Sequence, residues 1–206
     1  MNIEIKISKK PVEYTKAITI LEKRLDRLKN HKANELVWIL EHPKVYTGGT
    51  NYKNYEILDK NIKIINTNRG GKITWHGPGQ IICYFVIDLN KRNKDIRKFI
   101  LNLEKIIIKT LEEYKIKSFS DRKNIGIWVN HKNKIKKISA IGIKVKNWIA
   151  YHGFSINIKN DLKYYKKIVP CGIINREVIN LINIKNQKYN FISKKIIKNF
   201  IKYLKV

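Results

Sequence analysis

The run Arg69-Gly70-Gly71-Lys72-Ile73-Thr74-Trp75-His76-Gly77-Pro78-Gly79-Gln80 decides how this chain is read. It sets four glycines, a proline, a histidine and an arginine between two apolar runs that read as strands, Ile62–Ile65 and Ile81–Leu89. Glycine is needed where backbone takes unusual dihedrals or approaches a ligand closely. The run therefore predicts an irregular loop held between buried strands, with a small molecule lying against bare main chain. A long turn would also use Gly and Pro. His76 and Arg69 are not turn residues, and they favour a site.

Outward from this loop, strands and helices alternate. Ile3–Ile7 alternates as a strand, and Pro11 is expected to open a helix with Ile18, Leu21, Leu25 and Leu28 at helical spacing. Leu36–Leu40 reads as a buried strand, followed by a His42-Pro43 loop and a break at Gly48-Gly49. Ile96, Ile100, Leu103, Ile107, Leu111 and Tyr114 predict an amphipathic helix of about six turns. Ile125–Val129 and Lys134–Val145 read as a hairpin turning at Asn130-His131-Lys132-Asn133. Ile149–Ile158 continues it around Gly153, and Ile192–Leu204 closes the chain as a helix with Ile196, Ile197, Phe200, Ile201 and Leu204 inside. The pattern predicts an α/β (α+β) fold, a mixed β-sheet flanked by helices in one domain spanning residues 1–206.

Lys and Arg number 44 against 16 Asp and Glu, a formal charge of +28. Such a surface suits a polyanionic partner. However, the charge is almost all lysine, with arginine confined to positions 24, 27, 69, 92, 97, 122 and 176. Lys, Asn and Ile share A/T-rich codons, so base composition accounts for much of it. No nucleic-acid partner is expected, whereas an acidic protein partner fits. No apolar run approaches the roughly 20 residues of a membrane span, and the start Met1-Asn2-Ile3-Glu4-Ile5-Lys6 has no signal core. The expectation is a cytoplasmic protein that does not bind membranes. No His, Cys or carboxylate grouping has metal-ligand spacing, so no metal is expected.

Of the two cysteines, Cys83 sits within an apolar strand run, and Cys171 lies between Pro170 and Gly172 outside any periodic segment. Taken alone, Cys171 reads as structural, Lys137 as a solvated surface lysine, and His76 as equally structural or functional. Their order along the chain changes that. RGGKITWHGPGQ resembles the signature of the lipoyl(octanoyl) transferases. Lys137-Ile138-Ser139-Ala140-Ile141-Gly142 resembles that family's lysine motif. Pro170-Cys171-Gly172 follows at the family's interval, and Glu41-His42-Pro43 also fits. The resemblance runs from about Glu35 to about Gly172. It implies the fold shared by lipoate and biotin ligases.

The resemblance also implies roles. Cys171 takes the place of the acyl-thioester nucleophile, and Lys137 that of the lysine that activates it. Arg69, Gly70, Gly71, Lys72, Ile73, Thr74, Trp75 and His76 match one wall of the acyl pocket. Ala140, Ile141 and Gly142 match a second, and Gly153, Phe154 and Ser155 a third. Lys136 is set aside because strand alternation turns it away from Lys137. His31, His42 and His131 are expected in loops or at the surface, and His152 behind the pocket strand. The implied donor is octanoyl-acyl carrier protein, whose phosphopantetheine carries the acyl group. The implied acceptors are lipoyl domains of 2-oxoacid dehydrogenase complexes and the glycine cleavage H protein.

The chemistry is consistent with those roles. A thiolate attacks a thioester, and an adjacent ammonium lowers a thiol pKa from about 8.5. Thioester-to-amide transfer is downhill, so neither ATP nor a cofactor is required, and the chain has no Walker-type loop. Main-chain amides at Gly142 or at the Gly77–Gly79 bend are candidates for an oxyanion site. Glycine backbone with Trp75, Ile141 and Phe154 is expected to line an apolar slot. Two alternatives remain: an ATP-dependent lipoate or biotin ligase on the same fold, and a basic nucleic-acid-binding or inactive acyl-binding protein.

Overall fold

The computed structural model describes residues 2–170 and 177–204. Among these residues, ten strands form two sheets: β1 (Ile3–Ile7), β2 (Glu35–Leu40), β3 (Val45–Gly48), β4 (Ile64–Asn66), β5 (Ile73–His76), β6 (Gln80–Asp88), β7 (Phe119–Ser120), β8 (Ile127–His131), β9 (Lys134–Lys146) and β10 (Ile149–Asn157). The larger sheet runs β1-β2-β6-β10-β9-β8-β7, and the smaller one β4-β3-β5. Among the described strands, β1–β2 and β3–β4 pair in parallel and the other pairings are antiparallel. The helices are α1 (Tyr14–Lys29), α2 (Ile96–Glu112), the single turn α3 (Leu181–Ile184) and α4 (Ile192–Leu204).

Period-two alternation in β2, β6 and β10 splits the core between the two faces of the larger sheet. Val37, Ile39, Cys83, Phe85, Ile87, Ala150, Phe154 and Ile156 pack under α2 and α4. Leu36, Trp38, Leu40, Ile82, Tyr84, Val86 and Tyr151 pack under Ala17, Leu21, Leu25 and Leu28 of α1. A buried ion pair ties the two halves together. Arg92 donates to both carboxylate oxygens of Glu35, at 2.5 and 2.8 Å, and to the Leu204 carbonyl at the end of α4 at 3.2 Å.

The structure moves several predicted boundaries. The helix does not open at Pro11, because the Val12 amide donates to the Glu41 carbonyl and the Val12 carbonyl accepts from His42, so α1 starts at Tyr14. Asp95 caps α2 through the Lys98 amide. The helix spans 17 residues, just under five turns, and Lys115 with φ +59 ends the segment before a sixth. The hairpin is confirmed: Lys132 and Asn133 both take positive φ, as a two-residue primed turn requires. The strand expected at Ile62–Ile65 forms at Ile64–Asn66. The glycine run is not one loop. Ile73–His76 pairs with Val45–Gly48, a strand the sequence reading took for loop and break.

Candidate active site

A cavity of about 590 Å³ lies between the two sheets. Its floor is set by register. On the α1 face, Ala140 pairs with Ser155 and Ser155 with Ile82, while Gly142 pairs with Gly153 and Gly153 with Tyr84. Four small residues on β9 and β10 thus leave a trough in a surface that is otherwise filled. Gly153 has a further reason to be glycine, because a Cβ there would stand 1.8 Å from the Cys83 carbonyl oxygen. The roof is the glycine run. The Gly70 amide donates to the Ile143 carbonyl at 3.0 Å, and a Cβ on Gly142 would meet the Gly70 oxygen at 3.1 Å. Arg69 clamps the run by donating to the Gly70 carbonyl and to both oxygens of Thr47. Lys72 pairs with buried Glu56 at 2.9 Å.

Lys137 enters the cavity wall from β9 and is 7% exposed, with its ammonium 4.9 Å from the centre of the Trp128 ring. The Trp128 indole is itself fixed by donating to the Asn124 carbonyl. Lys136 points the other way and pairs with Glu177. An irregularity between Ile127 and Trp128 places two β9 steps opposite one β8 step, so Lys137 and Ala140 both reach the cavity. The Lys137 amide donates to the Glu177 carbonyl, and the Ile179 amide donates to the Lys137 carbonyl, both at 2.9 Å. Cys171, assigned as the nucleophile from sequence, lies outside the described residues. Cys83 is fully buried, and burial pushes its thiol well up.

Three buried histidines are held neutral in and beside the cavity wall. His76 donates from Nδ1 to Gln80, and burial with His42 and Arg69 nearby lowers its pKa to about 3. His42 donates from Nδ1 to Val12 and accepts from the Tyr84 hydroxyl at 2.8 Å, and burial lowers it to about 4. His152 takes φ +71, which turns its ring alongside Tyr151 and toward Asn68, where Nε2 donates at 2.7 Å. Burial, Arg69 and Lys144 bring it to about 3.

Every described residue assigned to a pocket wall lines this cavity except Trp75. In β5, Thr74 and His76 face the cavity, and alternation turns Trp75 away to stack on Tyr164 at 4.8 Å. Phe154 borders the cavity, but its side chain belongs to the core under α2 and α4. The Gly77–Gly79 bend, a candidate oxyanion site from sequence, does not line the cavity, and its Gly79 amide already donates to Glu41 at 2.8 Å. His42 lies in the loop between β2 and β3, as expected, but it is fully buried there and not at the surface. Asn51, Ile82, Tyr84, Ile100, Lys123, Asn124, Ile125, Ile143 and His152 also line the cavity and were not expected there from sequence. Their only local signal was strand, helix or loop membership, which does not say what lies opposite. Among the described residues no group of three His, Cys, Asp or Glu is placed to hold a metal, and no helix is long and apolar enough to cross a membrane.

The two-sheet frame with its roofed trough defines a catalytic domain of the lipoate and biotin ligase fold. A lipoate protein ligase from Thermoplasma acidophilum superposes with a TM-score of 0.77 at 13% identity, covering 99% of this chain and 84% of that one. Lipoate-protein ligase A bound with ATP gives 0.74 at 14% identity, covering 99% and 86%. The lipoyl protein ligase A/B catalytic domain matches residues 13–204. An octanoyltransferase of Ehrlichia ruminantium (strain Gardel) is 41% identical over 199 residues, 94% of this chain and 96% of the relative. One of Ehrlichia canis (strain Jake) is 44% identical over 173 residues, 83% of this chain and 81% of the relative. The chain belongs to the lipoyl protein ligase A/B catalytic-domain family and, within it, to the octanoyltransferases.

Proposed function

We propose that this enzyme moves an octanoyl group from acyl carrier protein to the lysine of a lipoyl domain, through a thioester on Cys171 and without ATP or a cofactor. The observation that carries this reading is the position of Lys137. A buried lysine lines a trough of acyl size, and Glu177, six residues after Cys171 in the sequence, pairs with its backbone. Cys83 is the other cysteine of the chain, and it is sealed in the core.

In the first half-reaction the Cys171 thiolate attacks the donor carbonyl. A carbon–sulfur bond to Cys171 forms, the bond to the pantetheine sulfur breaks, and the leaving thiolate takes a proton from the Lys137 ammonium. In the second, the acceptor amine attacks the Cys171 thioester and loses its proton to Lys137. The carbon–nitrogen bond forms as the Cys171 thiolate departs. In an antiparallel strand the amide and carbonyl of one residue point to the same side. The Ile143 carbonyl faces Gly70 at the open edge of β9, so the Ile141 amide points to that edge as well. It is the oxyanion donor we assign. The +28 charge favours encounter with an acidic carrier domain in the cytoplasm.

Incubation with octanoyl-acyl carrier protein followed by intact-mass and peptide mass spectrometry tests the reading. Octanoyl on Cys171, discharged onto a lipoyl-domain lysine without ATP, is the expected result. Transfer that requires ATP, or active enzyme with Cys171 unmodified, would overturn it.

A further inference from the structure

We propose that Tyr84, pinned by His42, is the stop that limits the acyl chain to about eight carbons; this rests on the acyl-transfer reading above. The trough crosses β9 and β10 over Ala140, Gly142, Ser155 and Gly153, and meets the large side chains Ile82 and Tyr84 on β6. Neighbouring strands lie about 4.8 Å apart, so the path from β9 to β6 is about 10 Å. An extended eight-carbon acyl chain, with carbon–carbon bonds of about 1.5 Å, spans about 9 Å. A long-chain acyl group has nowhere to continue in that direction.

Tyr84 stands opposite the glycine pair, where neither β9 nor β10 carries a side chain. Its hydroxyl donates to His42 Nε2 at 2.8 Å, and His42 in turn donates to the Val12 carbonyl at 2.6 Å. The His42 ring is tilted on Tyr84 at 5.6 Å and backed by Tyr14 and His76. Swinging the Tyr84 ring aside breaks a buried hydrogen bond and leaves a neutral imidazole nitrogen without its donor. The stop is therefore rigid, which a length-selective pocket needs. Ile100, Ile125 and Ile141 also line the cavity and give it a second apolar border. It is the competing place for the chain terminus.

The test is competition among hexanoyl to tetradecanoyl donors on acyl carrier protein, with the acylated lipoyl domain resolved by mass. Wild type should prefer octanoyl, losing about tenfold or more per added methylene once the trough is filled. Tyr84→Ala should move the optimum to decanoyl or dodecanoyl, and Tyr84→Phe should keep it at octanoyl. Tyr84→Leu, with a smaller shift expected, serves if the alanine variant fails to fold. An octanoyl optimum retained in both Tyr84→Ala and Tyr84→Leu would overturn the proposal, as would the same shift produced by Ile100→Ala. Failure of wild type to transfer any acyl group would instead sink the enzymatic reading itself.

Discussion

Lys137 and Glu177 are joined through their backbones by a 2.9 Å hydrogen bond, flanked by a second from Ile179 to the Lys137 carbonyl. That pairing places Glu177, six residues after Cys171 in the sequence, on the backbone of Lys137. Lys137→Met removes the proposed proton carrier and keeps the apolar stem beside Trp128. Acyl-enzyme formation should fall at least about a hundredfold, the usual scale for a lost general acid or base, while the thermal midpoint stays close to wild type. Single-turnover mass spectrometry with octanoyl-acyl carrier protein checks this. A near-normal acylation rate would remove Lys137 from its role.

The two glycines facing each other across β9 and β10 differ in what they forbid. A Cβ on Gly153 meets backbone oxygen at 1.8 Å, which no side-chain adjustment relieves. Gly153→Ala should cost at least about 3 kcal/mol, the upper part of the overpacking range, and show a clearly lowered midpoint in urea. Gly142→Ala meets the Gly70 oxygen at 3.1 Å, a small shift of the roof. It should fold and yet transfer octanoyl more slowly, as a steady-state assay beside a melting curve would show.

His42, His76 and His152 have folded pKa values of about 4, 3 and 3, against about 6.5 unfolded. Below pH 6.5 the unfolded chain takes up protons that the folded state refuses. Stability is therefore fully present above pH 6.5 and is lost as pH falls toward 4 and 3. At pH 5 each histidine removes about 2 kcal/mol. Denaturation midpoints should fall steeply between pH 6.5 and 4, and His42→Phe should flatten that slope. A flat profile would mean that these rings are not held neutral.

The Arg92–Glu35 pair is buried, with both partners under 9% exposed. Removing one partner strands a charge, so Glu35→Ala should destabilise by about 3–5 kcal/mol. The pair-replacing Glu35→Leu, Arg92→Met double variant should recover most of that loss. Equal midpoints for the single and double variants would show that the cost is packing and not charge.

The sequence by itself determined the chemistry-bearing types and their order. The glycine run, the Lys137 motif and Cys171 are each local in the chain, and local patterns survive in one dimension. It also determined the two long helices, the β8–β9 hairpin and the mixed sheet, because hydrophobic period and turn residues are short-range signals. Only the tertiary structure decided which face of β6 became the cavity. Ile82 and Tyr84 look like any alternating strand residues until β10 lies beside them in register. The same holds for Trp75, which left the cavity because β3, unseen in the sequence, paired with Ile73–His76. His42 stays in its expected loop but is a buried anchor there, because Val12 and Tyr84 reach it from 30 and 42 residues away. Long-range pairing selects one face of each strand and one partner for each buried polar group, and a single sequence carries no record of that selection.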